Sequence, residues 1–323
     1  MKGNGALKKI KTALSKTKSA LVVCHIDPDA DTIGSMLATA LMLKQLKFDV
    51  EMLSIDPIPS TYNFLPQISE IKRSISQDAM FDVAIIVDAG DIGRIGEGIS
   101  LRERAKIIIN IDHHPDNTMF GDINFVEQVS SSAELVYNLC KHLKIPISPD
   151  MAICLYTAII TDTGNFRYEN TTISTFLIAA ELVRRGASPN EIASKIYDTK
   201  SISSLKVLAL ALEKIESSPD GKIVWTAVTD EMLEQAHALG EELTGIVDHL
   251  RSAASAQVAL LFREEKNKEI KINLRSKEKV NVQKIAAKLG GGGHRRAAGV
   301  VLSGSLEEVK KKVLEEVQKH LGS

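Results

Sequence analysis

Over the first half of the chain, four short apolar runs alternate with helical periodicity, and this alternation leaves few folds open. The runs are residues 20–25, 48–53, 81–88 and 106–111; the second carries Asp49 and Glu51, whereas the other three are Val- and Ile-rich with polar residues only at or near their ends. Helical spacing of apolar residues fills 32–47, 132–144, 149–161 and 174–185, and several of these segments open on Ser, Thr or Asp, the residues that cap helix starts. A strand without polar alternation is buried on both faces. Strands of that kind separated by helices predict a doubly wound parallel sheet with helices on both faces.

The pattern changes near residue 186. Gly186-Ala187-Ser188-Pro189 starts a helical stretch, with Ser188 and Glu191 spaced as a capping box and Pro189 at the first helical position. Residues 186–217 read as a helical connector. Strand patterns follow at 223–229, 257–262 and 269–275, then a helix at 282–289, four glycines, a strand at 298–302 and a helix at 306–321. The expected organisation is therefore an N-terminal domain over 1–185, the connector, and a smaller α/β domain over 218–323.

Composition narrows the function. The 323 residues suffice for two domains, and 44% are hydrophobic, enough for a core in each. Aromatics make up only 4% and the formal net charge is −1, so neither a base-stacking platform nor a general polyanion surface is expected. Cys24, Cys140 and Cys154 form no CxxC pair and read as reduced, buried thiols of a cytoplasmic protein. No apolar run approaches the ~18 residues of a membrane span. Lys8, Lys9, Lys11, Lys16 and Lys18 punctuate an amphipathic helix where a signal peptide would have its apolar core.

Three of the four apolar runs end in carboxylates or imidazoles. The first leads into His25-Ile26-Asp27-Pro28-Asp29-Ala30-Asp31. Its D-x-D-x-D spacing opens like a calcium loop, but Thr32 and Ala38 stand where that loop needs Gly and Glu. A solvated acidic loop and a ligand cluster of His25, Asp29 and Asp31 remain as readings. The third run ends in Asp88 and the fourth in Asp112-His113-His114. Adjacent histidines point to opposite faces while a strand continues, so one could ligate and the other turn elsewhere unless the strand has ended. Asp162 closes a helix, where a carboxylate opposes the helix dipole; that placement favours a ligand.

The sharper reading comes from the clusters jointly. Sites in open parallel sheets form beyond the carboxyl ends of strands, so the fold itself would gather them. Mixed His and Asp donors suit borderline-hard divalent ions such as Mn²⁺. The number of carboxylates suits two ions, which can clamp the attacking and leaving oxygens of a phosphoryl transfer.

The second half offers Gly290-Gly291-Gly292-Gly293-His294-Arg295-Arg296. It lacks the Gly-Lys-Ser/Thr ending of a P-loop. One glycine would stop a helix, and four suggest an anion nest of exposed N–H groups unless they are a flexible turn. Between 263 and 296 there are 11 Lys/Arg against 4 Glu, a local balance of +7, much of it a solvated face. Arg275 stands apart, because it ends a strand and can reach a phosphate in bidentate fashion.

These motifs, in this order and over nearly the whole chain, resemble the DHH phosphoesterase family with its DHH-associated C-terminal domain. The likeness is greatest to the compact two-domain branch that degrades nanoRNA and removes the 3′-phosphate of pAp, some members of which cleave pApA or cyclic di-AMP. It implies an active site in the interdomain cleft. It further implies that His25, Asp29 and Asp88 hold one Mn²⁺, and that Asp31, Asp88, His113 and Asp162 hold a second, with Asp88 bridging. His114 would bind the scissile phosphate or protonate the leaving oxygen, and Asp112 would orient its histidine neighbours. Gly292, Gly293, His294 and Arg275 would hold the nucleotide, and Arg94 would approach the phosphate or form a surface salt bridge. Two departures stand out. Ala30 occupies a place where family members often have Gly, and Asp27 is an additional carboxylate.

The expectation is a hydrolase using two divalent ions, Mn²⁺ first and Mg²⁺ or Co²⁺ as substitutes. It would act on short RNA or small nucleotides and need neither long nucleic acid nor a membrane; a homodimer is compatible with it. The rivals are a manganese-type inorganic pyrophosphatase, which shares the first four clusters, and a non-enzymatic nucleotide sensor.

Overall fold

The computed structural model describes residues 4–96, 100–243, 245–265, 268–277 and 280–321. The chain divides into two compact units, Met1–Thr199 and Lys200–Ser323. Residues 186–217, expected to be a connector, are shared between them.

The first unit is built on strands β1 (Ser19–Val23), β2 (Asp49–Leu53), β3 (Ile71–Lys72), β4 (Phe81–Val87), β5 (Ala105–Asp112) and β6 (Ile123–Val126). All pair in parallel, in the order β3-β2-β1-β4-β5-β6. Its helices are α1 (Asn4–Leu14), α2 (Ala30–Gln45), α3 (Leu101–Arg104), α4 (Ser132–Leu143), α5 (Pro149–Asp162), α6 (Ile173–Arg184) and α7 (Pro189–Ala193). Side chains of α1, α2, α4, α5 and α6 share one apolar core with one sheet face, through Val22, Val83, Ile85 and Ile109. The other face is covered more thinly, by α3, the turn carrying Ile95, and Ile75 and Ala79.

Helix α2 has no solvent-facing side over most of its length: every residue from Ala30 to Leu43 is buried. It lies against α5 so closely that a Cβ on Gly34 would stand 2.5 Å from the Cys154 carbonyl oxygen and 2.9 Å from Ala158 Cβ. Gly34→Ala should therefore cost about 1–3 kcal/mol of stability by overpacking. The readout is the urea midpoint, and an unchanged midpoint would mean that α2 and α5 part without cost. The start of α5 follows the sequence logic, with Ser148 accepting from the Met151 N–H and Pro149 opening the first turn. The capping box expected from Ser188 and Glu191 is not made. Ser188 precedes α7 without a side-chain cap bond, and Pro189 alone marks the start.

The second unit contains α8 (Ile202–Glu213), β7 (Glu216–Ser217), β8 (Ile223–Val228), α9 (Asp230–Ala236), α10 (Ile246–Arg251), β9 (Val258–Glu265), β10 (Glu269–Ser276), α11 (Val282–Lys288), β11 (Gly292–His294), β12 (Ala297–Ser303) and α12 (Leu306–Leu321). Its sheet runs β11-β12-β10-β9-β8-β7 and is antiparallel except between β8 and β9. α11 and α12 pack on one face and α8, α9 and α10 on the other. Among the described residues, no helix is long and apolar enough to cross a membrane.

Candidate metal centre and nucleotide shelf

Three neighbouring strands, β1, β4 and β5, deliver the central ligand candidates side by side. His25 lies two residues beyond β1, Asp88 directly follows β4, and Asp112 is the last residue of β5. Because β5 ends there, His113 and His114 are released from strand alternation and both reach toward Asp88. Their rings meet edge to face with centroids 5.1 Å apart. Asp29 caps α2 and accepts from the Thr32 N–H, Asp31 lies in its first turn, and Asp162 is the final residue of α5.

Asp88 is the hub. Its Oδ2 lies 3.5 Å from His25 Nε2, and its Oδ1 lies 3.5 Å from His113 Nε2. His113 Nε2 also stands 3.6 Å from oxygens of both Asp31 and Asp162. Donors about 2.1 Å from one ion at tetrahedral angles stand about 3.4 Å from each other, close to this spacing. Among the described residues of the first unit, candidate ligand atoms converge in three groups: His25, Asp29 and Asp88; Asp31, His113 and Asp162; and Asp88, Asp112 and His114.

Backbone carbonyls set the histidine tautomers. His25 Nδ1 donates to the Ile26 carbonyl at 2.7 Å and His113 Nδ1 to the Val129 carbonyl at 3.2 Å, so Nε2 of each faces the carboxylates and carries the lone pair when the ring is neutral. His114 is held differently: its Nδ1 donates to Asp112 Oδ1 at 2.7 Å. The other Asp112 oxygen accepts from Asn117 Nδ2 at 2.6 Å.

The electrostatics are those of a pocket short of positive charge. Burial pushes the Asp31 carboxyl well above the usual range, and the Asp88 charge adds to this. Burial likewise lifts Asp162 to about 7. Burial alone would raise Asp88 too, but its contact with His25 and the charges of His114 and His113 hold it well below. Burial would lower the imidazoles, yet the surrounding carboxylates lift His25 to about 9 and His113 to about 10. Protons gather where a cation would serve, and the all-oxygen-and-imidazole donor set fits a divalent ion of intermediate hardness. The nearest thiol, Cys24, is no donor, since burial pushes it to about 12.

Several expectations about the loops change. Ala30 begins α2 and is buried, so it needs no left-handed conformation. The left-handed residue of this loop is Asp27, at φ 55°, and it belongs to none of the three groups. The Arg94 side chain is exposed and makes no ion pair among the described residues, while its carbonyl accepts from the Ile26 N–H at 2.7 Å and steadies the His25 loop. Sequence reasoning overlooked Thr32 and Ser132, which hydrogen-bond Asp88, and Asn117, which hydrogen-bonds Asp112. The signal available was a run of hydroxyl residues, Ser130-Ser131-Ser132, which leads into α4 and is fully buried.

The glycine run is not an open nest. Gly292, Gly293 and His294 form β11, paired with Gly299, Ala298 and Ala297 of β12. Gly293 has φ 129°, and a Cβ there would lie 2.6 Å from the Ala297 carbonyl oxygen, so it serves the close pairing. Gly292 has open space where its Cβ would be. The register aligns His294, Ala297 and Arg275 across three strands, and Gly292, Gly299 and Asn273 one step along on the same face. In the strand register Arg275 and His294 thus stand on either side of Ala297, beside a floor of Ala and Gly.

Comparison with known proteins agrees with both halves. Residues 19–159 match the DHH family, N-terminal domain, and residues 220–323 match the DHHA1 domain. The chain is 29% identical over 302 residues to the bifunctional oligoribonuclease and PAP phosphatase NrnA of Thermus thermophilus, covering 93% of this chain and 89% of the relative. It is 26% identical to the protein of that name from Bacillus subtilis, covering 90% and 92%. A crystal structure of an exopolyphosphatase-related protein from Bacteroides fragilis superposes with a TM-score of 0.88 at 26% identity, covering 98% and 96%.

Proposed function

We propose, from the premise that the chain belongs to the DHH family and carries a DHHA1 domain, that this hydrolase acts on very short RNA with two Mn²⁺ ions. It releases nucleoside 5′-monophosphates from oligoribonucleotides of a few residues and removes the 3′-phosphate of pAp. The observation that carries this reading is the Asp88 carboxylate, with one oxygen facing His25 and the other facing His113. A carboxylate placed in that way suits a bridge between two ions. The relatives named for oligoribonuclease and PAP phosphatase activity support the substrate class.

Ions held by His25, Asp29, Asp31, Asp88, His113 and Asp162 would supply Lewis-acid screening of the phosphoryl oxygens and an acidified water. The chain's own part is positional. His114, its tautomer fixed by Asp112, presents Nε2 as the nitrogen able to meet the phosphate or hand a proton to the leaving oxygen. Arg275 and His294 would hold the nucleotide on the shelf of the second unit, the guanidinium reaching a phosphate in bidentate fashion. Gly292 allows close backbone approach there.

Incubation with diadenylate to pentaadenylate, pAp, cyclic di-AMP and pyrophosphate, each with Mn²⁺, Mg²⁺ or Co²⁺, tests the reading by product chromatography. Short RNA and pAp should be turned over best with Mn²⁺. Preference for pyrophosphate would select the rival phosphatase, and inertness toward every compound would select a sensor. His294→Ala should raise KM for diadenylate about 10-fold or more, the usual effect of losing one charge-assisted contact, with kcat little changed.

A further inference from the structure

The hydroxyls of Thr32 and Ser132 are both fully buried, and they divide the Asp88 carboxylate between them. Thr32 Oγ1 donates to Asp88 Oδ2 at 2.7 Å, and Ser132 Oγ donates to Asp88 Oδ1 at 2.9 Å. Each residue also binds a second carboxylate through its backbone. The Thr32 N–H donates to Asp29 Oδ1 at 3.0 Å, and the Ser132 N–H donates to Asp31 Oδ2 at 2.7 Å. Thr32 therefore serves the group of His25, Asp29 and Asp88, whereas Ser132 joins Asp88 to the group of Asp31, His113 and Asp162.

We propose that Thr32 and Ser132 are positioning residues, a pair of hydroxyl clamps that fix the Asp88 carboxylate so that each oxygen addresses its own metal ion. Two buried hydroxyls could simply satisfy one buried acid, but one partner on one oxygen would then suffice. Here each oxygen has its own hydroxyl donor and its own imidazole, His25 beside Oδ2 and His113 and His114 beside Oδ1. A hydroxyl that occupies one lone pair directs the remaining one, as outer-shell donors do around metal ligands. The two clamps sit on different helices, at the first turns of α2 and α4, so each can fail alone.

This inference rests on the two-ion reading above, and the test separates the two. Thr32→Val and Ser132→Ala each remove one hydroxyl and keep the backbone N–H. Mn²⁺ titration calorimetry on EDTA-treated protein gives the stoichiometry and Kd values. Anomalous diffraction from crystals at limiting Mn²⁺ tells which ion is lost. The wild type should bind two ions. Thr32→Val should weaken the ion beside His25 by about 10- to 100-fold, and Ser132→Ala the ion beside His113 by a similar factor. Urea unfolding in EDTA supplies the structural comparison. Lower stability with unchanged Mn²⁺ affinity would reduce both residues to core polar packing and overturn the clamp. Weakening of the same ion by both variants would overturn its division of labour. Fewer than two ions on the wild type would overturn the two-ion reading, and the clamp with it.

Discussion

Asp88→Asn should yield a folded protein that has lost at least about 10³ of its hydrolytic rate and most of its affinity for divalent ions. The substitution is nearly isosteric. It also respects the backbone, because Asp88 sits at φ 59° and Asn tolerates that left-handed conformation as readily as Asp. What it removes is the one negative charge shared by the His25 and His113 groups. It also turns one of two acceptors into a donor, which must then face either the Thr32 or the Ser132 hydroxyl. Ion-assisted charge stabilisation is worth several kcal/mol, and each 1.36 kcal/mol is tenfold in rate, which sets the expected loss. Circular dichroism checks the fold, elemental analysis after dialysis against Mn²⁺ gives the metal content, and diadenylate hydrolysis gives the rate. A variant with wild-type metal content and turnover would remove Asp88 from the centre.

The candidate ligands were legible because two simple signals coincide in them. A continuous Val/Ile run marks a buried parallel strand, and an Asp at its end has nowhere apolar to go; Asp88 and Asp112 follow from that alone. Asp162 was legible from its electrostatics, a carboxylate at a helix C-terminus with no basic residue in the last turn. The supports were hidden because their chemistry has a commoner use. Ser and Thr at helix starts read as caps, and Ser131 is indeed the cap of α4. Nothing in sequence separates it from Ser132, whose hydroxyl reaches Asp88, 44 residues away. Strand β11 was hidden for the opposite reason. Glycine is depleted in strands, so a glycine run reads as a turn, and only the backbone pairing with β12 explains why Gly293 is needed. β6 is four residues long, with Asn124 in its middle, too short for a pattern to declare itself.

His114→Ala should keep metal affinity and lose about 10²–10⁴ in kcat on short RNA, the usual contribution of a positioned acid. The division between the two adjacent histidines is geometric. His113 is 3% exposed in its side chain and turns Nε2 to three carboxylates, whereas His114 is 16% exposed and has committed Nδ1 to Asp112. A proton on His114 Nε2 can pass to the oxygen that leaves phosphorus, and Asp112 stabilises the imidazolium before transfer. A p-nitrophenyl ester of a nucleotide separates protonation from phosphate binding, because its leaving group departs without a proton. If His114 is the acid, the deficit of His114→Ala shrinks sharply on that ester. An equal deficit on both substrates would assign it phosphate binding instead, and loss of Mn²⁺ would make it a ligand. Asp112→Asn supplies the intermediate case: its amide oxygen can still accept from Nδ1, but the charge that favours the imidazolium is gone. It should fall between wild type and His114→Ala on RNA and resemble wild type on the activated ester.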